Sequence, residues 1–273
     1  MTNILEMFSY SFMIRALIVG ILIAFCSSLI GVTLVLKKTS NLGDGLSHVG
    51  FGAFALATVF GFAPLEFAIP IVIIVSFLIL KTNENSKING DSKIALISAS
   101  SLALGIFFIS SFKGVNTDIN SYLFGSILSI STTDLIISIV LSIIIIVLYI
   151  LCYNKIFAIT FDEKFAKSIG INTNFYNILF ASLCSIVVVL GMRLMGSLLI
   201  SSLLIFPTIT AMQIFKHFKK VLIASVIISI LSFIIGLIIS YLLSYPTGAT
   251  IVLVNLGIFI IFKMSTFFLK RIA

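Results

Sequence analysis

The stretch Thr133-Asp-Leu-Ile-Ile-Ser-Ile-Val-Leu-Ser-Ile-Ile-Ile-Ile-Val-Leu-Tyr-Ile-Leu-Cys-Tyr153 carries one charged residue, Asp134, at its start and is otherwise almost wholly apolar. About 20 mostly apolar residues suffice for a helix to cross a bilayer, so this stretch reads as a span. Comparable segments lie on both sides of it, at roughly 14–36, 42–62, 64–80, 94–112, 175–192, 196–215, 221–243 and 248–262, with short polar breaks between them. The chain has 273 residues, 60% of them hydrophobic and only 10% charged, more apolar surface than one soluble core of that size hides. The expected fold is an all-α polytopic integral membrane protein with about eight or nine transmembrane helices. Residues 1–273 then form one transmembrane domain, with no room for a soluble one. The run Tyr122–Ser131 is too short to span and fits a re-entrant or surface helix packed on the bundle.

Cys26, Cys152 and Cys184 all fall inside apolar runs and share no metal-site or disulfide spacing, so they read as small buried hydrophobes. The N-terminus lacks the basic region and cleavage site of a secretory signal, which makes the first apolar segment a retained span. A net charge of +8 does not point to nucleic acid, because the basic residues are scattered among loops rather than gathered on one face. Alternating the loops between sides puts Lys37, Lys38, Lys81, Lys87, Lys93, Lys155, Lys164, Lys167, Lys216, Lys219, Lys220, Lys263, Lys270 and Arg271 together. Arg15, Lys113 and Arg193 oppose them. Fourteen against three places the first set in the cytoplasm, the N-terminus outside and the C-terminus inside, in a cell's plasma or inner membrane.

Ionisable side chains within spans are expensive and therefore candidates for function. In Asn41-Leu-Gly-Asp-Gly-Leu-Ser-His-Val-Gly-Phe-Gly-Ala53, Asp44 and His48 are four residues apart and share one helix face. A carboxylate with an imidazole suits manganese, zinc or ferrous iron. A structural Asp–His hydrogen bond fits the same spacing. The small residues Gly43, Gly45, Gly50, Gly52, Ala53, Ala55 and Ala57 favour close packing of this helix. Glu66, just after Pro64, and Arg193, flanked by Met192 and Met195, lie near the outer ends of their spans, where each either snorkels or serves a metal entrance. His217, in the basic loop His217-Phe-Lys-Lys220, reads as solvated. In the seventh span Pro207 should kink the helix, with Ser201, Ser202, Thr208 and Thr210 available to satisfy freed backbone groups, so this helix either lines a path or simply packs.

The segment Thr160-Phe-Asp-Glu-Lys-Phe-Ala-Lys-Ser-Ile-Gly-Ile171 has the signature of a short amphipathic helix. Thr160 with Glu163 makes a capping box, Phe161, Phe165 and Ile169 recur on one face, Asp162 adds charge, and Gly170 is a C-terminal cap. Such a stripe is buried either on the lipid surface or in a partner's groove. No G-x-x-x-x-G-K-[ST] phosphate loop occurs in the chain, so any ATP hydrolysis that powers it belongs to another polypeptide. An ion-coupled secondary metal transporter is the alternative, with Asp44 and His48 relaying protons or holding the coupling ion. An intramembrane metalloenzyme would need a fuller ligand set such as H-E-x-x-H.

Four segments together resemble the membrane permease subunit of the zinc/manganese ABC importers: Gly43-Asp-Gly-Leu-Ser-His48; Phe161-Asp-Glu163 with Ala166 and Gly170-Ile171; Gly196-Ser-Leu-Leu-Ile-Ser-Ser-Leu-Leu-Ile-Phe-Pro-Thr-Ile-Thr-Ala211; and Pro246-Thr-Gly-Ala-Thr-Ile251. The resemblance covers nearly the whole chain. It implies a fold like that of the vitamin B12 and siderophore importer permeases, and a homodimer working with two cytoplasmic ATPase subunits that bind ATP. It also implies an extracytoplasmic metal-binding protein, an intramembrane metal site at Asp44 and His48, and a coupling helix at about 160–171 that includes Ala166. No cofactor is expected on this chain, only zinc or manganese as cargo. Where the family often has Leu-Pro-Gly after the histidine, this chain has Val49-Gly50-Phe51-Gly52.

Overall fold

The computed structural model describes residues 4–7, 9–83, 89–112, 125 and 130–272, and every regular element among them is a helix. A one-turn helix α1 (Ile4–Met7) precedes α2 (Ser11–Leu36), α3 (Asn41–Phe60), α4 (Pro64–Asn83), α5 (Gly90–Ser111) and α6 (Thr132–Leu151). Two short helices, α7 (Tyr153–Phe161) and α8 (Glu163–Ser168), lead into α9 (Thr173–Met195), α10 (Ser197–Ile214), α11 (Phe218–Leu243) and α12 (Thr247–Ile272).

Nine of these helices have eighteen residues or more, in agreement with the nine expected segments. Seven are long and apolar enough to cross a membrane, while α3 and the apolar part of α4, Pro64–Ile79, are not among them. For α3 the reason is its polar head: Asp44, Ser47 and His48 offset an otherwise apolar tail. Of the run Tyr122–Ser131, only Gly125, Ile130 and Ser131 are described; the rest, with Lys87 and Lys113, lies outside the described residues.

Helix α2 is the axis of the bundle, touching α6, α9, α10 and α11. Its apolar window is 72% buried, against 22% for α5 and for α6 and 17% for α12, which therefore present their apolar side chains outward. Lipid supplies no hydrophobic force between helices, so small residues and interhelical hydrogen bonds must hold them. Gly31 supplies the first: a Cβ there would run into the carbonyl oxygen of Leu204 on α10. Hydroxyls supply the second. Ser229 of α11 donates to the Ala24 carbonyl at 2.9 Å, Thr208 of α10 meets Ser225 of α11 at 3.2 Å, and Thr33 of α2 meets Tyr149 of α6 at 3.1 Å.

Helix α3 is wedged between α4 and α5 on one side and α9 and α10 on the other. It crosses α5 closely because Gly52 lies against the Ser101 carbonyl, where a Cβ would sit 2.7 Å from the oxygen. The helix continues unbroken through Val49-Gly50-Phe51-Gly52, and the turn before it carries Asp44 and His48 on one face.

Gly31→Ala should lower stability by about 1–3 kcal/mol, the usual cost of overpacking against atoms that cannot retreat. Thermal unfolding in detergent measures it. Gly257→Ala, where a Cβ meets nothing within 4 Å, should leave the midpoint unchanged or slightly raised.

Candidate metal site and coupling surface

The elbow between α2 and α3 presents the polar head of α3. It closes with Thr39 N–H donating to the Leu34 carbonyl at 2.9 Å and Lys38 N–H to that of Val35 at 3.1 Å. This Schellman pattern needs a left-handed residue, and Lys38 takes that place with φ 58° although glycine is the usual occupant. One turn into α3, Asp44 sits where the helix dipole favours an anion.

His48 Nε2 lies 3.8 Å from Asp44 Oδ2, with His48 28% exposed and Asp44 57% exposed. That separation is longer than a hydrogen bond. It is also slightly wider than the roughly 3–3.4 Å between neighbouring ligands of one octahedral or tetrahedral ion, so the two side chains would close by about half an ångström to share one. His48 Nδ1 is enclosed without a hydrogen-bond partner among the described residues, so Nε2 is the nitrogen offered to the carboxylate. No group of three or more His, Cys, Asp or Glu side chains gathers anywhere among the described residues. A third polar group does reach the pair: Ser201 Oγ on α10 donates to Asp44 Oδ1 at 2.9 Å.

The segment 160–171 differs from expectation at its start. Thr160 does not cap it; it lies in the last turn of α7 and turns its hydroxyl back to the Ile156 carbonyl at 2.6 Å. The cap is Asp162, extended at φ −149° and ψ 98°, whose carboxylate accepts from Phe165 N–H at 2.9 Å. The 160–171 segment is therefore two helices meeting at Asp162. Its end agrees with the reading: Gly170 takes φ 84°, and Ile171 N–H donates to the Ala166 carbonyl at 3.1 Å. Ala166 is fully buried and packs with Ile159 and Ile171, anchoring α8 to α7 and α9. The stripe faces the other way. Phe161, Phe165 and Ile169 are each more than half exposed, although Phe161 also touches the Phe157 and Phe218 rings.

Glu163, freed from the capping box, joins a polar chain instead. Lys37 Nζ donates to Asn177 Oδ1 at 2.8 Å, and Asn177 Nδ2 donates to Glu163 Oε1 at 2.8 Å. This ties the end of α2, and thus the elbow that launches Asp44, to the first turn of α8 through α9. Burial pushes the Lys37 ammonium below the ordinary lysine range, and the Glu163 carboxylate pulls it partly back. A cavity of about 650 Å³ opens beside the chain, walled by Lys37, Thr39, Leu42, Glu163, Asn174 and Phe180.

Glu66 is exposed in the first turn of α4, and Arg193 is half-buried in the last turn of α9. Neither forms an ion pair with Asp44 or His48. Pro207 lies inside a continuous α10 and so does not break the helix, with Thr210 bonded to the Phe206 carbonyl at 2.7 Å and Thr208 to that of Leu204 at 3.4 Å. Ser201 has a second acceptor in the Ser197 carbonyl at 3.2 Å, as expected of a backbone-satisfying serine. Its bond to Asp44 spans 157 positions, and no local sequence rule signals such a pairing.

Glu163→Gln should lower the Lys37 pKa further, by removing the one favourable charge. A lysine whose folded pKa lies below its unfolded value destabilises the fold while charged, and this cost disappears as pH rises through the unfolded value. The variant's deficit in thermal midpoint should therefore be largest near neutral pH and shrink towards the ordinary lysine value of 10.5. Thermal unfolding across that range measures it.

The sequence pattern of the ABC 3 transport family matches residues 9–266. A membrane protein of the ycf23-apcF intergenic region of Cyanophora paradoxa, itself uncharacterised, is 34% identical over 95% of this chain and 91% of its own length. The manganese transport system membrane protein MntC of Listeria monocytogenes is 31% identical over 92% of this chain and 90% of its own. Among solved structures, PsaBC from Streptococcus pneumoniae in complex with Fab superimposes with a TM-score of 0.85 at 30% identity, covering 95% of each chain. With an all-helical multi-span fold, a polar pair on a close-packed helix and these relatives, the chain belongs to the ABC 3 transport family, as the membrane permease of a metal ABC importer.

Proposed function

We propose that this permease carries a divalent transition metal into the cytoplasm by alternating access, with manganese as the preferred ion and Asp44 and His48 as the ligands that hold it in transit. The observation that carries this reading is the pair itself. A carboxylate and an imidazole stand 3.8 Å apart on one face of α3 without bonding to each other, open enough for an ion to enter and leave. Two protein ligands make weak binding, and a transported ion must be released as readily as it is taken up. The donor set accepts manganese, zinc and ferrous iron, and the name of the Listeria relative favours manganese.

The chain does no covalent chemistry in this reading. Two copies form a homodimer, each docking a cytoplasmic ATPase on the face formed by Phe161, Asp162, Glu163, Phe165, Ile169 and Gly170 around the anchored Ala166. The outward apolar stripe supports that docking, because an exposed apolar face gains stability when a partner's groove covers it. The lysine distribution supports putting this face in the cytoplasm, with the N-terminus outside and the C-terminus inside. An extracytoplasmic metal-binding protein delivers the ion at the opposite end, where Glu66 and Arg193 flank the entrance and Pro207 gives α10 the bend to gate it. ATP binding then closes the motors, and the Lys37–Asn177–Glu163 chain passes the movement to the α2–α3 elbow. Membership of an ABC family favours this over ion-coupled secondary transport.

Asp44→Ala and His48→Ala should each reduce uptake of radioactive manganese in cells at least tenfold, while the permease still reaches the membrane and co-purifies with its ATPase. Wild-type uptake in both variants would remove the site assignment.

A further inference from the structure

The cavity beside the Lys37–Asn177–Glu163 chain has no part in the transport reading, and its walls are of two kinds. It lies where three long helices end: Leu36 ends α2 and Lys37 caps it, Phe77 lies in the last two turns of α4, and Asn174 and Asn177 stand in the first two turns of α9. Lys38 of the α2–α3 elbow, Thr160 of α7 and Glu163 of α8 add polar groups, while Leu42, Phe77 and Phe180 supply apolar wall. Its volume of about 650 Å³ falls within the roughly 300–1,000 Å³ of sites that hold small molecules.

Two ammonium groups and one carboxylate line this space, so the charged guest it favours is an anion. The carboxylate, Glu163, is already held by Asn177 Nδ2. Lys37 carries three N–H donors; one goes to Asn177 Oδ1 at 2.8 Å, and its Nζ otherwise faces the Phe180 ring, 6.0 Å from the centre, which leaves a donor for an incoming oxygen. Lys38 is exposed and forms no ion pair among the described residues. A free phosphate would account for the lysines but not for the apolar wall. Phe77 and Ile178 both line the cavity and are themselves exposed, so that wall runs on to the outer surface of α4 and α9. A basic pocket between the ends of membrane helices, open sideways along apolar side chains, has the chemistry of an acidic lipid headgroup with its chain attached.

We propose that this cavity binds an anionic phospholipid, its phosphate held by Lys37 and Lys38 and the start of an acyl chain laid along Phe77 and Ile178. The inference does not depend on the Asp44–His48 reading. The lipid fills the gap between the α2–α3 elbow, α4 and α9, beside the bond that ties Lys37 to α9.

The test is native mass spectrometry of the purified permease–ATPase complex, titrated with phosphatidylglycerol, phosphatidylcholine or soluble glycerol 3-phosphate. Phosphatidylglycerol should bind at least about fivefold more tightly than either of the others, the worth of one lysine beside an acidic lipid. Lys38→Gly removes an ammonium at a left-handed position that glycine prefers, so the elbow should still form, and phosphatidylglycerol binding should fall about fivefold. Lys219→Ala, which removes an exposed lysine of α11 outside the cavity, should leave it unchanged. Ile178→Trp narrows the apolar mouth without altering charge and should also weaken the lipid. Wild-type affinity in Lys38→Gly or in Ile178→Trp overturns the proposal, and so does an equal loss in Lys219→Ala, the mark of general attraction to a basic surface. Phosphatidylcholine or glycerol 3-phosphate binding as tightly as phosphatidylglycerol overturns it too, the latter in favour of a soluble anion. If Ile178→Trp does not assemble, the comparison of Lys38→Gly with Lys219→Ala decides.

Discussion

Ser229 donates to the Ala24 carbonyl, and Gly31 lies bare against the Leu204 carbonyl; at these contacts the bundle closes around α2. In water the apolar faces of these helices would drive themselves together. In lipid they do not, because acyl chains are as apolar as leucine. Close backbone approach and a handful of hydroxyl bonds therefore decide where each helix sits. Serine, threonine and glycine do this work in α2, α10 and α11, while α5, α6 and α12 turn their isoleucines and leucines outward.

The same economy explains how an aspartate and a histidine can be held in a chain so poor in charge. Helix α3 tolerates them because it is not a lipid-facing span: α4, α5, α9 and α10 enclose most of it, and its glycines let them approach. The Asp44 carboxylate is stabilised by the first turn of its helix and by Ser201. At the elbow below it, Lys38 adopts a glycine-like conformation and Lys37 reaches Asn177 and Glu163. Lys37, Asn177 and Glu163 thus tie the elbow that launches α3 to the first turn of α8.

Much of this was legible in the residues. Apolar runs of span length mark the helices because lipid leaves few other solutions, and a spacing of four puts Asp44 and His48 on one face whatever surrounds them. Local reasoning failed where two local solutions compete. Thr160 and Asp162 are both good caps, and Thr160 lost because its hydroxyl is satisfied by the preceding turn while Ala166 and Ile171 hold α8 in a new direction. It failed again where partners are distant in sequence. Ser201 looks like any backbone-satisfying serine near a proline, and Lys37 like any interfacial lysine, until packing brings α10 to Asp44 and α9 to Lys37.

The central claim is that an ion in transit rests between Asp44 and His48. An anomalous difference map at the manganese absorption edge, from crystals of the permease soaked with Mn²⁺, tests it most directly. The account predicts a peak within bonding distance of the Asp44 carboxylate and His48 Nε2. A manganese peak held elsewhere in the membrane region, with this pair empty, would contradict it.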